Sequence, residues 1–426
     1  MPKELLLAQE SSHRWYRDIT WTQWRVLIAA WGVWVNDALD FLAITFVLRD
    51  IAAAFHVSLD TASLLLLATY GVRWIGGLLF GGLSDRIGRK IPLLITLTWF
   101  TLGAVATGLS WSFAALAVFR LLLGFGMAPG FSLGAAMVAE SWPEKHRAIG
   151  IGILDTGWGV GAIGAALAYE FVYPHFGWRG MFFVGLPPAV LLGLFIIFLV
   201  PESREWKKRA TAKTTSWREN PVFELFSKYP KRVSYLALLI FVLCFGSWPF
   251  QALLPTYLRA AEMSPAAISE ITMASAIGQI FGFVASGFIA EKLGRRNAIS
   301  VMIAIGALFV AGVVMSAGNV ELAAACSFAS GFFLVGSSGI WGTVLAENLP
   351  RDVRATGVGF LYNFGVIGGG IAPYIVLTSM RQGGFSMPDA IIGFTLAAAA
   401  IGMVVIRFVR ETKGLSLVEV DRESDA

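Results

Sequence analysis

Asp37 and Asp40 stand three residues apart in a stretch otherwise made largely of Ala, Val, Leu, Ile, Phe and Trp. At that spacing in a helix, the two carboxyls share a face. Carboxylates at close range resist ionising together, and a carboxyl withdrawn from water favours its neutral acid. At least one is therefore expected to hold a proton near neutral pH, the property that proton coupling requires. The plainer alternative is that each pairs with a nearby base. Arg120 also sits in an apolar stretch. It keeps its charge, and its planar fork fits a carboxylate, so it either binds an anion directly or pairs with Asp37 or Asp40. Arg73 either binds an anion or, as favoured here, pairs with an acid nearby. Asp155 is expected as a gate or structural partner rather than a proton carrier.

Uncharged groups at similar positions complete a candidate pocket: Asn36, Trp158, Trp248, Gln251, Tyr362 and Asn363. Each is otherwise a satisfied helix contact. Gln251 and Asn363 carry the stronger argument, because an amide in an apolar medium needs a partner.

The elements that must hold these residues are membrane spans. Of 426 residues, 56% are hydrophobic and 14% charged, against about 25% charged in a soluble domain. A charge at a bilayer centre costs at least about 2.5–3.5 kcal/mol, so the buried charges above need a partner or a purpose. About 20 mostly apolar residues make one span, which places spans near 26–48, 61–83, 91–110, 113–138, 148–172 and 180–200. Six more fall near 233–258, 266–290, 298–317, 321–344, 354–378 and 388–410. The chain then divides into an N-terminal segment (1–25), a six-helix bundle (26–200), a linker (201–232), a second bundle (233–410) and a tail (411–426). In the linker, a short amphipathic stretch near 222–228 either lies on the membrane surface or is solvated. Lys and Arg crowd the connections on the side of the termini. The opposite side has only Arg49, Arg179, Arg259 and Arg381, so both termini and the linker are expected in the cytoplasm. The net charge of +5 follows this topology and implies no nucleic-acid partner. No secretory signal is visible at the N-terminus. Cys244 and Cys326 lie in apolar stretches and suggest no disulfide framework, and His13, His56, His146 and His175 have no metal-ligand spacing. No catalytic constellation is present, and neither a cofactor nor a metal is expected.

The chain also repeats itself. Gly81-Gly82-Leu83-Ser84-Asp85-Arg86-Ile87-Gly88-Arg89-Lys90 returns 206 residues later as Gly287-Phe288-Ile289-Ala290-Glu291-Lys292-Leu293-Gly294-Arg295-Arg296. Ala139-Glu140, Pro143, Arg147-Ala148, Gly150 and Gly152 return 207 residues later as Ala346-Glu347, Pro350, Arg354-Ala355, Gly357 and Gly359. Two copies of a membrane unit are the plan of a secondary transporter, in which halves rock about a site between them. Positive charge alone would orient the loops without repeating acid and glycine. Asp85 with Arg86 and Arg89, and Glu291 with Arg295, are thus expected to form gating contacts, with Asp85 able to face the start of the eleventh span. Glycine runs inside spans (Gly124-Phe125-Gly126, Gly157 to Gly161, Gly368 to Gly370 before Pro373) are read as close packing first and as substrate-lining or moving segments second.

The segment from Gly81 to Lys90 and its copy resemble the loop signature of the major facilitator superfamily. Arg120-x-x-x-Gly124-x-Gly126 is similar to its fourth-helix signature. Pro201-Glu202-Ser203-Arg204 and Arg410-Glu411-Thr412-Lys413-Gly414 resemble the tags after its sixth and twelfth helices. Asp37-Ala38-Leu39-Asp40-Phe41 resembles the first-helix acidic box of organic-acid:proton symporters, with Ala38 in place of glycine. Glu140-Ser141-Trp142-Pro143 with Arg147, and Trp248-Pro249-Phe250-Gln251 with Leu254-Pro255-Thr256, resemble the sialate:proton symporter branch. Relatives there often carry an acid where this chain has Gly130, after Ala128-Pro129. The resemblance implies an all-α membrane protein of twelve transmembrane helices in two pseudo-symmetric six-helix bundles, monomeric, in a bacterial-type inner membrane. It also implies proton-coupled import of a small organic acid anion such as lactate, pyruvate or sialate. Three rival readings stand beside it. A proton-coupled exporter is disfavoured because the fifth span's glycines lack a closing Gly-Pro. A transporter-like sensor and an integral membrane enzyme find no extension or catalytic cluster to support them.

Overall fold

The computed structural model describes residues 15–143, 146–202, 221–316, 318–350 and 353–413, and every regular element among them is helical. Ten helices are long and apolar enough to cross a membrane. They give the first span (Trp21–Ala54), third (Lys90–Gly108), fourth (Phe113–Ser141), fifth (Ile149–Phe171), and seventh to twelfth (Pro230–Ala260, Pro265–Leu293, Arg295–Met315, Val320–Glu347, Gly357–Gly383, Met387–Phe408). The second span is the pair Leu59–Gly71 and Arg73–Ile87, and the sixth is the shorter apolar helix Leu186–Leu199. The twelve form two six-helix bundles. In one, the first span packs on the fifth and the fourth packs on the second and third; in the other, the seventh packs on the eleventh and the tenth on the eighth and ninth. The bundles meet chiefly along two seams, fifth against eighth and second against eleventh, with a smaller contact of first against seventh.

Local chemistry sets the helix ends. The first span starts earlier than expected, at Trp21, because Thr20 and Gln23 form a reciprocal capping box. Ser58, Ser112, Ser264, Asn319 and Ser386 cap the N-termini of the second, fourth, eighth, tenth and twelfth spans. Three spans expected to be continuous are broken. The second breaks at Val72, between its two helices. The fourth bends at Ala128, where Pro129 removes a backbone donor. The tenth passes through a π turn (Gly331–Val335) and a 3-10 turn (Gly336–Ile340). The linker stretch Pro221–Lys228 is a helix whose Leu225 is buried and whose Phe226 ring meets Phe360 of the eleventh span. It docks on the eleventh span through this face.

The glycine runs pack helices closely. A methyl at Gly124 would strike the carbonyl of Thr69, which brings the fourth span onto the second. One at Gly369 would strike the Trp248 ring, where the eleventh meets the seventh.

The repeated tags build one device twice, at the end of the bundle that carries the termini. Arg89 pairs with Glu140 at 3.1 Å, and the Glu202 carboxylate accepts the backbone N–H groups of Arg89 (2.7 Å) and Lys90. Its copy pairs Arg295 with Glu347 at 2.9 Å, and Glu411 accepts N–H groups from Arg295 (2.8 Å) and Arg296 (3.1 Å). A carboxylate thus caps the start of the third and of the ninth span. Gly88 (φ 99°) and Gly294 (φ 85°) make the turns, in a region only glycine adopts freely. An added Cβ at Gly294 would lie 2.7 Å from a Glu411 oxygen. The expected Glu291–Arg295 contact is therefore replaced. The turn at Gly294 aims Arg295 at the tenth span, while Glu291 stays exposed on the last turn of the eighth. Among the described residues each tag closes within its own half. The side chains of Asp85 and Arg86 lie outside the described residues.

Gly294→Ala is expected to cost about 1–3 kcal/mol, read as a lower melting temperature in detergent. Gly287→Ala, with nothing within 4 Å of its added methyl, is expected to leave the melt in place. Burial opposes the charge on Glu411, but N–H bonds from Arg295, Arg296, Lys413 and Thr412 outweigh it and hold its carboxyl below the ordinary value. That contribution is full above the unfolded value, about 4.3, and is lost as pH falls through the lower folded one. The melting difference between wild type and Glu411→Gln should therefore be widest above about pH 5 and should narrow on acidification.

Candidate functional site

Four charged side chains are buried in the first half: Asp37 and Asp40 are wholly buried, Arg73 is 3% exposed and Arg120 wholly buried. Their elements explain their positions. The second span breaks at Val72, and Arg73 opens the helix that follows. The close approach at Gly124 sets Arg120 beside Thr69, whose hydroxyl donates to Leu65 and accepts from Arg120 Nε at 2.9 Å. Asp37 and Asp40, expected as one pair, turn to different neighbours. Asp37 faces Arg73, with Oδ2 at 3.8 Å from Nη2, a Coulomb contact too long for a hydrogen bond. It also lies 3.3 Å from where a Cβ on Gly130 would stand. Asp40 is pressed against Gly185 at the start of the sixth span, leaving no room for a methyl there. Its Oδ2 accepts a long 3.4 Å bond from Asn36.

Much of the hydrogen-bonding capacity of this cluster is unspent. Both oxygens of Asp37, Oδ1 of Asp40, Oδ1 of Asn36, and Nη1 and Nη2 of Arg120 are buried without a partner. Buried polar atoms normally have one, so each of these gaps calls for an explanation, and a ligand or proton is a natural one.

Aromatic rings wall the cluster on the side of the second half. Phe41 stacks on Tyr70 (centroids 4.3 Å apart), and Trp248 of the seventh span meets both edge-on, at 5.4 and 5.0 Å. Trp158 lies 6.0 Å from Trp248 and 5.1 Å from Trp34. Arg120 stands over the Phe41 ring at 5.7 Å and Arg73 over the Tyr70 ring at 5.5 Å. Trp158 and Trp248 are therefore brought to the centre.

Tyr362 is half-buried and faces Phe131. Asn363 is buried against Gly77, but its amide donates to Gly359 of its own helix at 2.9 Å. Gln251 lines a small cavity beyond the rings. Asp155 is half-buried and is not joined to the four charges.

Sequence reasoning missed the ion pairs that cross between halves. Arg259 at the end of the seventh span makes a two-pronged pair with Asp50 at the end of the first, with Nη2 at 2.8 Å. The Tyr173 hydroxyl donates to Asp50 at 2.9 Å and accepts from Arg259 at 2.7 Å. Burial raises the Tyr173 phenol, and the Asp50 bond adds to it, so that it is pushed up to about 12. Arg381 of the eleventh span meets Asp60 of the second at 3.2 Å. Both pairs lie at the end away from the termini. The available signal was that so few arginines fall on that side. Gln279 was also missed, although the argument applied to Gln251 covers it.

Toward the end bearing the termini, the seam between the fifth and eighth spans opens. Ser269 donates to the Ala166 carbonyl, and Gly159 lies against Ile280. Two turns farther on the same faces, Gly152 and Gly287 have nothing within 4 Å of an added methyl.

The chain resembles known transporters over most of its length. It is 29% identical over 399 residues to the sialic acid transporter NanX of Escherichia coli (strain K12), covering 92% of this chain and 96% of that one. It is 28% identical over 384 residues to the cis,cis-muconate transport protein of Acinetobacter baylyi (strain ATCC 33305 / BD413 / ADP1), covering 88% and 91%. A solved D-xylose-proton symporter shares the fold with a TM-score of 0.72 at 18% identity, covering 92% of this chain and 99% of that one. The family model of the Major Facilitator Superfamily matches residues 27–373 and, again, 236–421, so the chain belongs to the Major Facilitator Superfamily and is a multi-pass membrane protein of that transporter fold.

Proposed function

We propose that the protein imports a small organic acid anion together with a proton. The termini are placed in the cytoplasm, and the chain in a bacterial-type inner membrane. The observation that carries this reading is the buried cluster: two acids, two arginines and several unpartnered polar atoms in one half. Relatives named for sialic acid and cis,cis-muconate transport support an acid as cargo.

The coupling follows from charge. With both aspartates ionised, the four side chains sum to zero. A bound monocarboxylate adds one negative charge in a place where an uncompensated ion costs several kcal/mol. A proton on Asp37 or Asp40 restores the balance, so anion and proton favour each other's binding. Arg120 offers Nη1 and Nη2, two parallel donors that match a carboxylate's two oxygens. Arg73 stands 3.8 Å from Asp37, so its guanidinium is the cation nearest that carboxyl. Release of either ligand to the cytoplasm weakens the site for the other.

Alternating access uses the two ends. The Asp50–Arg259–Tyr173 group and the Asp60–Arg381 pair tie the outer ends of the halves. The open faces at Gly152 and Gly287 lie toward the inner end. The state described is thus read as closed outside, and breaking those ion pairs belongs to the return stroke.

Proteoliposomes under an imposed pH gradient test the reading with labelled lactate, pyruvate, sialate and muconate. Asp37→Asn and Asp40→Asn, inserted normally, are expected to lower proton-driven uptake by at least about tenfold, the worth of one pH unit of driving force. Undiminished proton-driven uptake in both would end the proposal. One proton per monoanion also predicts transport indifferent to voltage. Imposing 100 mV with a potassium ionophore should leave the accumulation ratio unchanged, whereas one extra proton would add about 2.3 kcal/mol.

A further inference from the structure

Just beyond the aromatic wall, toward the end away from the termini, a cavity of about 40 Å3 lies between the halves. Its polar lining is Thr45 from the first half and Gln251, Thr272, Ser275 and Gln279 from the second, with no charged residue among its walls. We propose that this is a second subsite for the same substrate, one that recognises neutral hydroxyl or carbonyl groups on the body of the acid whose carboxylate Arg120 holds. The proposal deepens the transport reading and rests on it.

Three observations carry the assignment. First, Gln279 is 3% exposed, and its Oε1 is out of water's reach with no partner. Its Nε2 reaches only Ser275 Oγ, at a marginal 3.5 Å. An amide oxygen left empty in a buried wall loses its hydration without recompense, and a hydroxyl donor supplies what it lacks. Second, Thr45 and Thr272 have spent their hydroxyl hydrogens on Leu42 and Ile268 of their own helices, each at 2.7 Å. They therefore face the cavity as acceptors, and the wall as a whole is rich in groups that want a donor. The amide N–H groups of Gln251 and Gln279 serve carbonyl or ether oxygens.

Third, the internal repeat marks the position. The offset of 206 residues that carries Gly81 to Gly287 in the second and eighth spans carries Arg73 to Gln279. Where one copy of the unit presents a cation to the centre, the other presents a carboxamide. The two halves are thus specialised: charge is read in the first, neutral polarity in the second. The aromatic rings of Trp158 and Trp248 lie between, suited to the apolar faces of a ring or chain joining the two ends. At about 40 Å3 the cavity is too small for an organic acid in this state, so the subsite closes on its ligand only as the halves rock.

Uptake by reconstituted protein is measured on matched acids that differ in hydroxylation: 4-hydroxybenzoate against benzoate, lactate against propionate, gluconate against hexanoate. The wild type is expected to favour the hydroxylated member of at least one pair by about tenfold in kcat/KM, the worth of one neutral hydrogen bond that must replace water. In Gln279→Leu that ratio should fall toward one. If the leucine variant fails to insert, Gln279→Asn withdraws the same amide by one methylene and should lower the ratio too. A wild-type ratio near one in every pair, with pH-driven uptake intact, would overturn the subsite alone, and so would an unchanged ratio in the variants. Absence of pH-driven uptake of every acid tested would overturn the transport reading and the subsite with it.

Discussion

The structure is organised around one electrostatic constraint: two carboxyls and two guanidinium groups share a space with no access to water. An isolated ion there would cost several kcal/mol even after relaxation. With both carboxyls ionised the four charges sum to zero, and Arg73 and Asp37 face each other. Incomplete hydrogen bonding is what leaves the cluster open to a ligand. A fully bonded network would be rigid and inert, whereas this one keeps empty donors on Arg120 and empty acceptors on Asp37. The surrounding packing serves that arrangement. Gly124 lets the fourth span close on Thr69, and Gly185 and Gly130 leave room for the two carboxyls. At Gly130 a side chain would stand against Asp37, with its Cβ 3.3 Å from Oδ2.

The duplication was copied faithfully at the rim and revised at the centre. Arg89, Glu140 and Glu202 recur as Arg295, Glu347 and Glu411 with the same bonds and the same glycine turn. Both halves need their helix starts capped, whatever they carry. At the centre the demands differ. The proposed proton coupling needs charge, and charge in both halves would double the cost of burial. Arg73 therefore has Gln279 as its counterpart, and by the 207-residue offset of the later spans Arg120 has Ser327.

The fold was legible in the sequence because the bilayer permits few solutions: apolar length fixes the spans, and the repeated tags fix the two-fold plan. The charged positions were legible for the same reason, since a charge in an apolar run stands out. What was hidden depends on rotation and on contacts distant in sequence. The spacing of Asp37 and Asp40 could not say that one turns to Arg73 and the other to Gly185, because neighbours on other spans decide that. Glu291 looked like the partner of Arg295 because they are close in sequence. Glu347, 52 residues farther on, takes its place through the turn at Gly294. Asn363 seemed as needy as Gln251, yet an acceptor one turn back in its own helix satisfies its amide.

The placement of strong and weak contacts suits a rocking motion. At the rim, each arginine is joined to a carboxylate within its own half, and a second carboxylate adds bonds to backbone N–H groups. Such charge-assisted bonds are about twice as strong as neutral ones, so each half keeps its shape. The ties between halves are more open to solvent. Arg259 and Asp50 are joined two ways but remain partly open, and Arg381, more than half exposed, reaches the buried Asp60. Water competes for the open member of each pair more readily than at the rim. In the proposed cycle such ties are the ones that break and re-form, while the rim bonds keep each half in shape as it turns.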